Sequence, residues 1–212
     1  TYARELIPHL AKDNQLVIFC GKETLATFDT SKNIKVVTLP IYSSNRVARL
    51  IAEQTLLPIL VAKYQIHVLF SLGYSAPLLH SCPSVVTIHD LNYHYHPEDF
   101  GLLSRTIWQI MTYLSAHTAD HVITDSEASA KSISQILKVK ESKVSDILHG
   151  TPSVLKNTKK QPKTPYIFTV IANYPHKNLK TLLAAFKRLS ETTEDLDLII
   201  CGLGKQPSSS NR

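Results

Sequence analysis

The segments VVTIHDL, residues 85–91, and YPHKNL, residues 174–179, decide the fold class of this 212-residue chain. At each, a run of β-forming residues gives way to a polar cluster, and a new element then begins. In an open α/β sheet such strand ends border the crevice that binds ligands. Lys177 lies at the predicted start of a helix, where free backbone N–H groups favour an anion. The two segments predict acid–base groups in one crevice and a phosphate site in another, which is typical of group transfer from a phosphorylated donor.

Predicted strands and helices alternate along most of the chain. The apolar patterns favour strands at residues 16–20, 34–39, 67–70, 85–88, 121–124, 143–148, 166–171 and 196–201. Helical periodicity favours helices at residues 2–12, 45–63, 102–117, 127–137 and 177–190. Pro58 predicts a kink or a break in the second of these helices. The alternation implies an α/β fold with a parallel, doubly wound sheet.

Composition divides the chain into two predicted domains. Residues 1–150 form the first, and residues 151–165, rich in proline, lysine and threonine, form a linker. Residues 166–205 contain a fresh βαβ unit, and residues 206–212 form a predicted disordered tail. A lone βαβ unit of about 40 residues cannot bury a core of its own, so we expect the second domain to be incomplete.

The bulk composition is that of an ordinary folded protein, with 43% hydrophobic and 19% charged residues. Apolar runs such as residues 56–62 are too short to span a bilayer, and no signal-peptide pattern is visible. Because the chain starts without methionine, we expect it to begin inside a longer protein. Three separated cysteines have neither metal-ligand nor disulfide spacing, which favours a reducing, cytoplasmic location.

The net charge of +6 has its clearest concentration in the linker. Those lysines have no aromatic residues between them to stack on bases, so we predict no nucleic-acid partner. The positive charge is compatible with two partners. One is the anionic inner face of a membrane, to which the protein would bind peripherally, and the other is an acidic substrate.

Several short motifs occur in a characteristic order. They are TYAREL at residues 1–6, TIHDL at 87–91, SEASAK at 126–131, HG at 149–150, and PHKNL at 175–179 with AAF at 184–186. In order and spacing they resemble the motifs of the retaining glycosyltransferases of family 4, which have the GT-B architecture. The resemblance covers nearly the whole chain.

The resemblance implies a GT-B type of α/β fold. A doubly wound parallel-sheet acceptor domain would occupy residues 1–150, and the first βαβ unit of a Rossmann-like donor domain would follow the linker. The family's first strand and glycine-rich loop would precede Thr1, and its acidic donor-binding pair would lie beyond Arg212. Ile171 and Ala172 replace the family's usual glycine and arginine. We therefore expect this chain to be an incomplete fragment.

The resemblance also implies roles for individual residues. His89 and Asp90 are the candidate catalytic pair, which would orient or deprotonate an acceptor hydroxyl. The resemblance makes Lys177, His176, Asn178 and Gly150 candidate donor-binding residues. Gly202 and Gly204 join them because glycines after a strand form a phosphate or nucleotide loop in many folds. Ser126 and Glu127 are the candidate acceptor-binding residues from the resemblance, and Tyr93 is added as part of an aromatic face that could stack on a sugar.

Each candidate also has a purely structural interpretation. Lys177 could be a solvated lysine, and His89 could bond to backbone while Asp90 forms a turn. Ser126 is a helix N-cap under either interpretation. The glycines could serve turns alone, and Tyr93 could pack over its loop. A metal site is also conceivable on one loop, whose possible ligands are His89, His94, His96, Glu98 and Asp99. These residues lack a recognised ligand spacing, so we expect no metal and no cofactor.

The favoured function is transfer of a hexosyl group, as in mannosyltransferases of polysaccharide biosynthesis, from a nucleotide sugar to a carbohydrate or lipid-linked acceptor. The alternative from another class is a non-catalytic acceptor-binding module or a degenerate remnant of such an enzyme. A third possibility is an unrelated nucleotide-binding protein that uses the glycines at 202 and 204. The absence of a complete glycine fingerprint disfavours it.

Overall fold

The computed structural model describes residues 2–28, 32–150, 164–193 and 195–203. Its helices are α1 (Tyr2–Leu10), α2 (Arg46–Lys63), α3 (Asn92–Tyr95), α4 (Leu102–Thr118), α5 (Glu127–Leu137) and α6 (Leu179–Ser190). Its strands are β1 (Leu16–Cys20), β2 (Ile34–Thr38), β3 (Leu69–Ser71), β4 (Ser84–Thr87), β5 (His121–Thr124), β6 (Val144–Asp146), β7 (Tyr166–Val170) and β8 (Asp197–Cys201). Residues 151–163 of the predicted linker, Gly204 and the predicted tail lie outside the described ranges.

Every strand pair among these residues is parallel, which confirms the predicted α/β class. The strands form one four-stranded sheet, β3-β4-β5-β6, and two two-stranded sheets, β1-β2 and β7-β8. We expected one sheet in the first domain, but no ladder joins β1 to β3 in the described part of the chain.

The described chain groups into two compact units. The first comprises residues 2–94 and 102–150, and the second comprises residues 95–101 and 164–203. The short segment 95–101 thus groups with the second unit, although the sequence suggested that it belongs to the first domain. Within that unit the carboxylate of Asp99 bonds to the imidazole of His176, and the rings of His96 and His176 stack. These contacts explain the grouping.

The core of the first unit lies at the four-stranded sheet. Val86, Ile88, Val122 and Ile133 are fully buried. Helix α5 packs against β5 and β6, so its apolar stripe covers this part of the sheet. Full burial of each such side chain contributes about 1.5–3 kcal/mol to folding. The buried centre of the sheet therefore holds the loops that come after its strands in fixed positions.

Helix α2 continues through Pro58, so of the two predicted outcomes, a kink or a break, the break is wrong. Proline removes one backbone hydrogen bond, but the tertiary contacts on both sides of it outweigh that loss. Ala52 and Val61 are both buried, one before and one after the proline. None of the helices in the described ranges combines the length and the apolar character needed to span a bilayer.

Candidate functional site

Polar and aromatic side chains follow the strands of the four-stranded sheet at its carboxyl edge. Tyr74 follows β3, His89 follows β4, Asp125 directly follows β5, and His149 follows β6. Because all four strands are parallel, these loops leave the sheet on the same side. The arrangement brings together residues that are as far apart as 75 positions in sequence.

Three of these side chains form a cluster that we call the His-Asp-His cluster: His89, Asp125 and His149. The Nδ1 atom of His89 lies 3.2 Å from the Oδ2 atom of Asp125. The Nε2 atom of His149 lies 3.6 Å from the same oxygen. The side chains of His89 and Asp125 are 22% and 27% exposed. A carboxylate only accepts hydrogen bonds, so the 3.2 Å contact fits the neutral tautomer of His89 that carries its proton on Nδ1 and has Nε2 as an acceptor.

Aromatic rings surround this cluster. The ring of Tyr2, from α1, stacks on His149 with centroids 5.1 Å apart and meets the edge of His89 at the same distance. On another side Tyr74 meets His89 edge-on at 5.7 Å, and it also contacts Trp108. Such aromatic pairs contribute about 0.5–1.5 kcal/mol each beyond their burial. They hold both imidazoles in place and give the cluster an apolar wall.

Tyr74 adopts a backbone conformation that few side chains tolerate. Its φ is 38°, in the left-handed region, and its amide donates to the carbonyl of Thr87 at 2.8 Å. Such conformations cost about 1–3 kcal/mol and tend to occur at functional sites. Burial, together with the charge and the hydrogen bond of Asp90, raises the pKa of the Tyr74 hydroxyl well above its usual range. Tyr74 therefore stays a neutral hydrogen-bond donor.

Asp90 has the structural role that the alternative interpretation gave it. Its Oδ1 accepts from the amide of Asn92 at 3.1 Å, and its Oδ2 accepts from the Asn92 side chain at 2.8 Å. The Tyr74 hydroxyl donates to it as well. With these three donors, Asp90 fixes the turn that starts α3. His89 bonds to Asp125 and not to Asp90, and the catalytic role of His89 with Asp90 stays a prediction.

The predicted acceptor-binding residues lie in different surroundings. Tyr93 is 5% exposed and belongs to the core, so its ring packs inside the protein and does not form an open face on which a sugar could stack. Burial raises the pKa of its hydroxyl to about 12. Ser126 caps α5 by accepting from the amide of Ser129 at 3.2 Å, which confirms the predicted N-cap. Glu127 is exposed and pairs with Lys131 at 2.7 Å on the helix surface.

The predicted phosphate lysine does not lie in the first turn of α6. Lys177 ends a short 3₁₀ turn, Pro175–Lys177, and Asn178 separates it from the helix with a φ of 53°. Asparagine tolerates this left-handed conformation better than most residues, which explains the interruption. The Asn178 side chain accepts from the Thr181 hydroxyl at 2.7 Å. Lys177 is exposed and has no ion pair among the described residues.

His176 forms a buried pair with Asp99. The His176 and Asp99 side chains are 13% and 2% exposed, and the other carboxylate oxygen of Asp99 is buried without a partner in the described chain. Stacking on His96, with ring centroids 4.5 Å apart, covers His176 further. These contacts give His176 a structural role within the second unit.

Two of the predicted glycines can be compared directly. Gly202 has a φ of +97°, and a Cβ atom there would lie 3.0 Å from the carbonyl oxygen of Ile171. The tight turn after β8 thus explains this glycine. At Gly150 a Cβ would meet nothing within 4 Å, and the φ is not in the left-handed region, so the backbone has no need of glycine there. Gly204 lies outside the described residues.

Sequence reasoning missed Asp125, Tyr2 and Tyr74 as members of the site. Asp125 is the first polar residue after a buried strand, which is the same signal that selected His89. Tyr2 lies in the motif at residues 1–6, but no local pattern links it to this site, because its contact with His149 joins residues 147 positions apart.

The loop metal site that we disfavoured is not assembled in the described residues. The one group of three or more possible metal ligands found there is the His-Asp-His cluster, whose ligand atoms lie within 4.8 Å of one another. Of the loop candidates only His89 belongs to it.

The parallel α/β fold, with polar groups gathered at the carboxyl edge of the sheet, is typical of α/β proteins that bind ligands at strand ends. The sequence profile of Glycosyltransferase Family 4 matches residues 1–154, more than two thirds of the chain. The chain therefore belongs to glycosyltransferase family 4, which confirms the resemblance and the GT-B type of fold.

A curated relative supports the same assignment. Over 129 residues the chain is 26% identical to the O-antigen chain mannosyltransferase RfbU of Salmonella typhimurium. The matched region covers 61% of this chain and 35% of that protein, so the chain spans about a third of the relative's length.

Proposed function

We propose that the protein transfers a sugar, with retention of configuration, from a nucleotide-sugar donor to a carbohydrate or lipid-linked acceptor. The observation that carries this proposal is the pairing of His89 with Asp125 at the carboxyl edge of the sheet, beside Tyr2 and Tyr74. In a chain of family 4, a fixed imidazole between aromatic rings suits the recognition of a hydroxyl-rich acceptor.

His89 is assigned the acceptor hydroxyl. Asp125 accepts from Nδ1 of His89, so the lone pair on Nε2 is available to a hydroxyl of the acceptor. During transfer the hydroxyl oxygen forms a bond to the anomeric carbon, and the bond from that carbon to the diphosphate breaks. The hydroxyl proton leaves along the hydrogen bond that orients it, and a histidine can accept a proton near neutral pH. Asp125 acts as a positioning residue because it contacts His89 and not the reacting atoms.

The aromatic wall is assigned to the acceptor sugar. The rings of Tyr2 and Tyr74 both meet His89, so a sugar that bonds to Nε2 would lie near them. Apolar and aromatic side chains with a few placed polar groups are typical of small-molecule sites. Tyr93, Ser126 and Glu127 are assigned no direct contact here, since each has a structural partner or is buried.

Lys177 is assigned to the diphosphate of the donor. Its ammonium group is exposed and free of ion pairs in the described chain, so an anion could bind it without breaking a contact. A fixed cation stabilises the negative charge that develops on the leaving group. The backbone N–H groups at the start of α6 would share that charge.

A mannosyl donor is the first to test, because the relative from Salmonella typhimurium is a mannosyltransferase. We further propose that the reaction belongs to polysaccharide biosynthesis and takes place at the cytoplasmic face of a membrane. Helix α4 exposes Leu102, Leu103 and Ile110, and the net charge of the chain is +6. Apolar residues and positive charge together favour peripheral contact with an anionic bilayer.

The test uses the complete gene product and compares the wild type with His89→Ala and with a matched control, His67→Ala, at an exposed histidine outside the site. Each protein is incubated with radiolabelled GDP-mannose and membrane lipid extract from its source organism, with UDP-glucose as a second donor. We expect the His89 variant to lose transfer while calorimetry shows unchanged GDP-mannose affinity, and the control to behave as wild type. Binding of acceptor without turnover of any nucleotide sugar by the wild type would favour the non-catalytic alternative.

A further inference from the structure

The buried pair of Asp99 and His176 lies next to the residue that we assign to the donor diphosphate. His176 is the middle residue of the 3₁₀ turn Pro175–Lys177, and Lys177 is its last residue. The Nδ1 atom of His176 bonds to the carboxylate of Asp99, which ends another 3₁₀ turn, Pro97–Asp99. We propose that Asp99 is a positioning residue for the donor, because through His176 it fixes the turn that presents Lys177 to a nucleoside diphosphate. The inference rests on the proposed function, since it takes Lys177 as the cation that binds this group.

A buried carboxylate is not the side chain that packing alone would favour at position 99. Asp99 is only 2% exposed, and its Oδ1 atom is buried without a hydrogen-bond partner among the described residues. Burial of a polar group without a partner costs free energy. Replacement of both partners of a buried hydrogen bond by apolar groups of the same shape can be nearly neutral or stabilising. The bond of Asp99 to His176 thus serves the position of the bonded residues more than the stability of the fold.

Two further rings hold the imidazole of His176. It stacks on His96 with ring centroids 4.5 Å apart and an angle of 21° between the planes. It also stacks on Tyr174, with centroids 5.9 Å apart and an angle of 19°. Together with the carboxylate at Nδ1, these rings leave the imidazole no rotation that keeps all of its contacts.

The backbone of the turn carries this fixed position to Lys177. The amide of Lys177 donates to the carbonyl of Tyr174 at 3.0 Å, and the amide of Asn178 donates to the carbonyl of Pro175 at 3.1 Å. The backbone of Lys177 is therefore held on the same turn as His176, whereas its side chain is exposed. A preorganised group loses less conformational freedom when it binds an anion than a group on a free loop does.

Hydrogen exchange tests the effect on the turn, whether or not the protein binds or transfers a sugar. The complete gene product is compared with Asp99→Ala and with Glu191→Ala, which removes an exposed carboxylate elsewhere in the second unit. We expect the amides of Lys177 and Asn178 to exchange faster in Asp99→Ala, while exchange in β8 stays unchanged in both variants. If Asp99→Ala does not fold, Asp99→Asn takes its place, with a smaller change in the same direction. Unchanged exchange in the turn would overturn the proposal.

A double-mutant cycle tests whether the effect on the donor passes through Lys177. The affinities for GDP and for UDP are measured by calorimetry in the wild type, Asp99→Ala, Lys177→Ala and the double variant. We expect Asp99→Ala to weaken binding about fivefold in the wild type and to have no further effect once Lys177 is absent, because coupled residues are not additive. A role that does not pass through Lys177 would weaken binding by the same factor in both backgrounds, and that result would overturn the proposal.

The remaining outcomes separate this inference from the proposed function. A loss of affinity in Lys177→Ala with none in Asp99→Ala would overturn the inference and leave the assignment of Lys177 to the donor in place. Unchanged affinity in Lys177→Ala, or no binding of either nucleotide to the wild type, would overturn that assignment and with it the donor role of Asp99. Faster exchange in Asp99→Ala would then still show that Asp99 fixes the turn.

Discussion

Replacement of Asp125 by asparagine tests whether this residue acts through His89. The asparagine keeps the shape of the side chain but removes its charge, so the contact of 3.2 Å to Nδ1 of His89 becomes a neutral hydrogen bond or reverses its direction. If the amide donates to Nδ1, the imidazole proton moves to Nε2, and the atom assigned to the acceptor hydroxyl loses its lone pair.

The size of the effect follows from the type of hydrogen bond and its exposure. A hydrogen bond to a charged group contributes about 1.5–3 kcal/mol and a neutral one about 0.5–1.5 kcal/mol, so loss of the charge costs about 1–1.5 kcal/mol. Both side chains are roughly a quarter exposed, and water screens part of the interaction. We therefore expect a cost of about 1 kcal/mol, which corresponds to about a fivefold fall in kcat/KM for the acceptor.

The assay varies the acceptor at saturating GDP-mannose and measures donor affinity separately by calorimetry. We expect kcat/KM for the acceptor to fall in Asp125→Asn while the donor Kd and the Tm stay unchanged. Glu141→Gln is the matched control, since it removes an exposed carboxylate outside the site. An unchanged kcat/KM in Asp125→Asn would refute the positioning role, and an equal loss of donor affinity would place Asp125 on the donor side.

Three further predictions concern other parts of the chain. Lys177→Ala should raise the barrier to transfer by about 2–4 kcal/mol and weaken GDP-mannose binding, with Lys180→Ala as the exposed control; wild-type turnover would reject the assignment. Gly202→Ala forces a Cβ to 3.0 Å from the carbonyl oxygen of Ile171 at a φ of +97°. The urea midpoint for unfolding of the second unit should therefore fall by the equivalent of about 1–3 kcal/mol, and an unchanged midpoint would contradict this. Burial raises the pKa of Glu53 in the folded protein. Its protonation therefore stabilises the folded state at a pH below the pKa that it has in the unfolded chain, and this stabilisation is lost as the pH rises through the pKa of the folded state. Glu53→Gln should therefore raise Tm at pH 8 more than at pH 4, and equal shifts at both pH values would show that burial of the charge is not the cause.

Local features were predictable because they depend on neighbouring residues. Strand β5 and helix α5 have the bounds that the apolar pattern predicted, at residues 121–124 and 127–137. Ser126 caps α5 by accepting a hydrogen bond from the amide of Ser129. A serine just before a helix makes this bond to the amide three residues further on, whatever the surroundings of the helix. Alternation of strands and helices also predicted the parallel pairing.

Features that depend on distant contacts were missed or placed wrongly. The α2 helix is not split at Pro58, because buried residues before and after the proline hold it together. Lys177 precedes α6 instead of starting it, because Asn178 takes a left-handed conformation between them. Residue propensities predict neither the unbroken helix nor the interruption at Asn178, because both depend on the backbone conformation that tertiary packing selects.

The sequence by itself determined the α/β class, the family and the candidate status of His89, because apolar periodicity and short motifs are local properties. Only the tertiary structure decided which residues share the site with His89. Parallel pairing of β4, β5 and β6 brings His89, Asp125 and His149 to one edge, and α1 brings Tyr2 against two of them. The physical reason is that hydrogen-bonded strands place side chains from distant sequence positions within bonding distance, and no local pattern records which loops will meet.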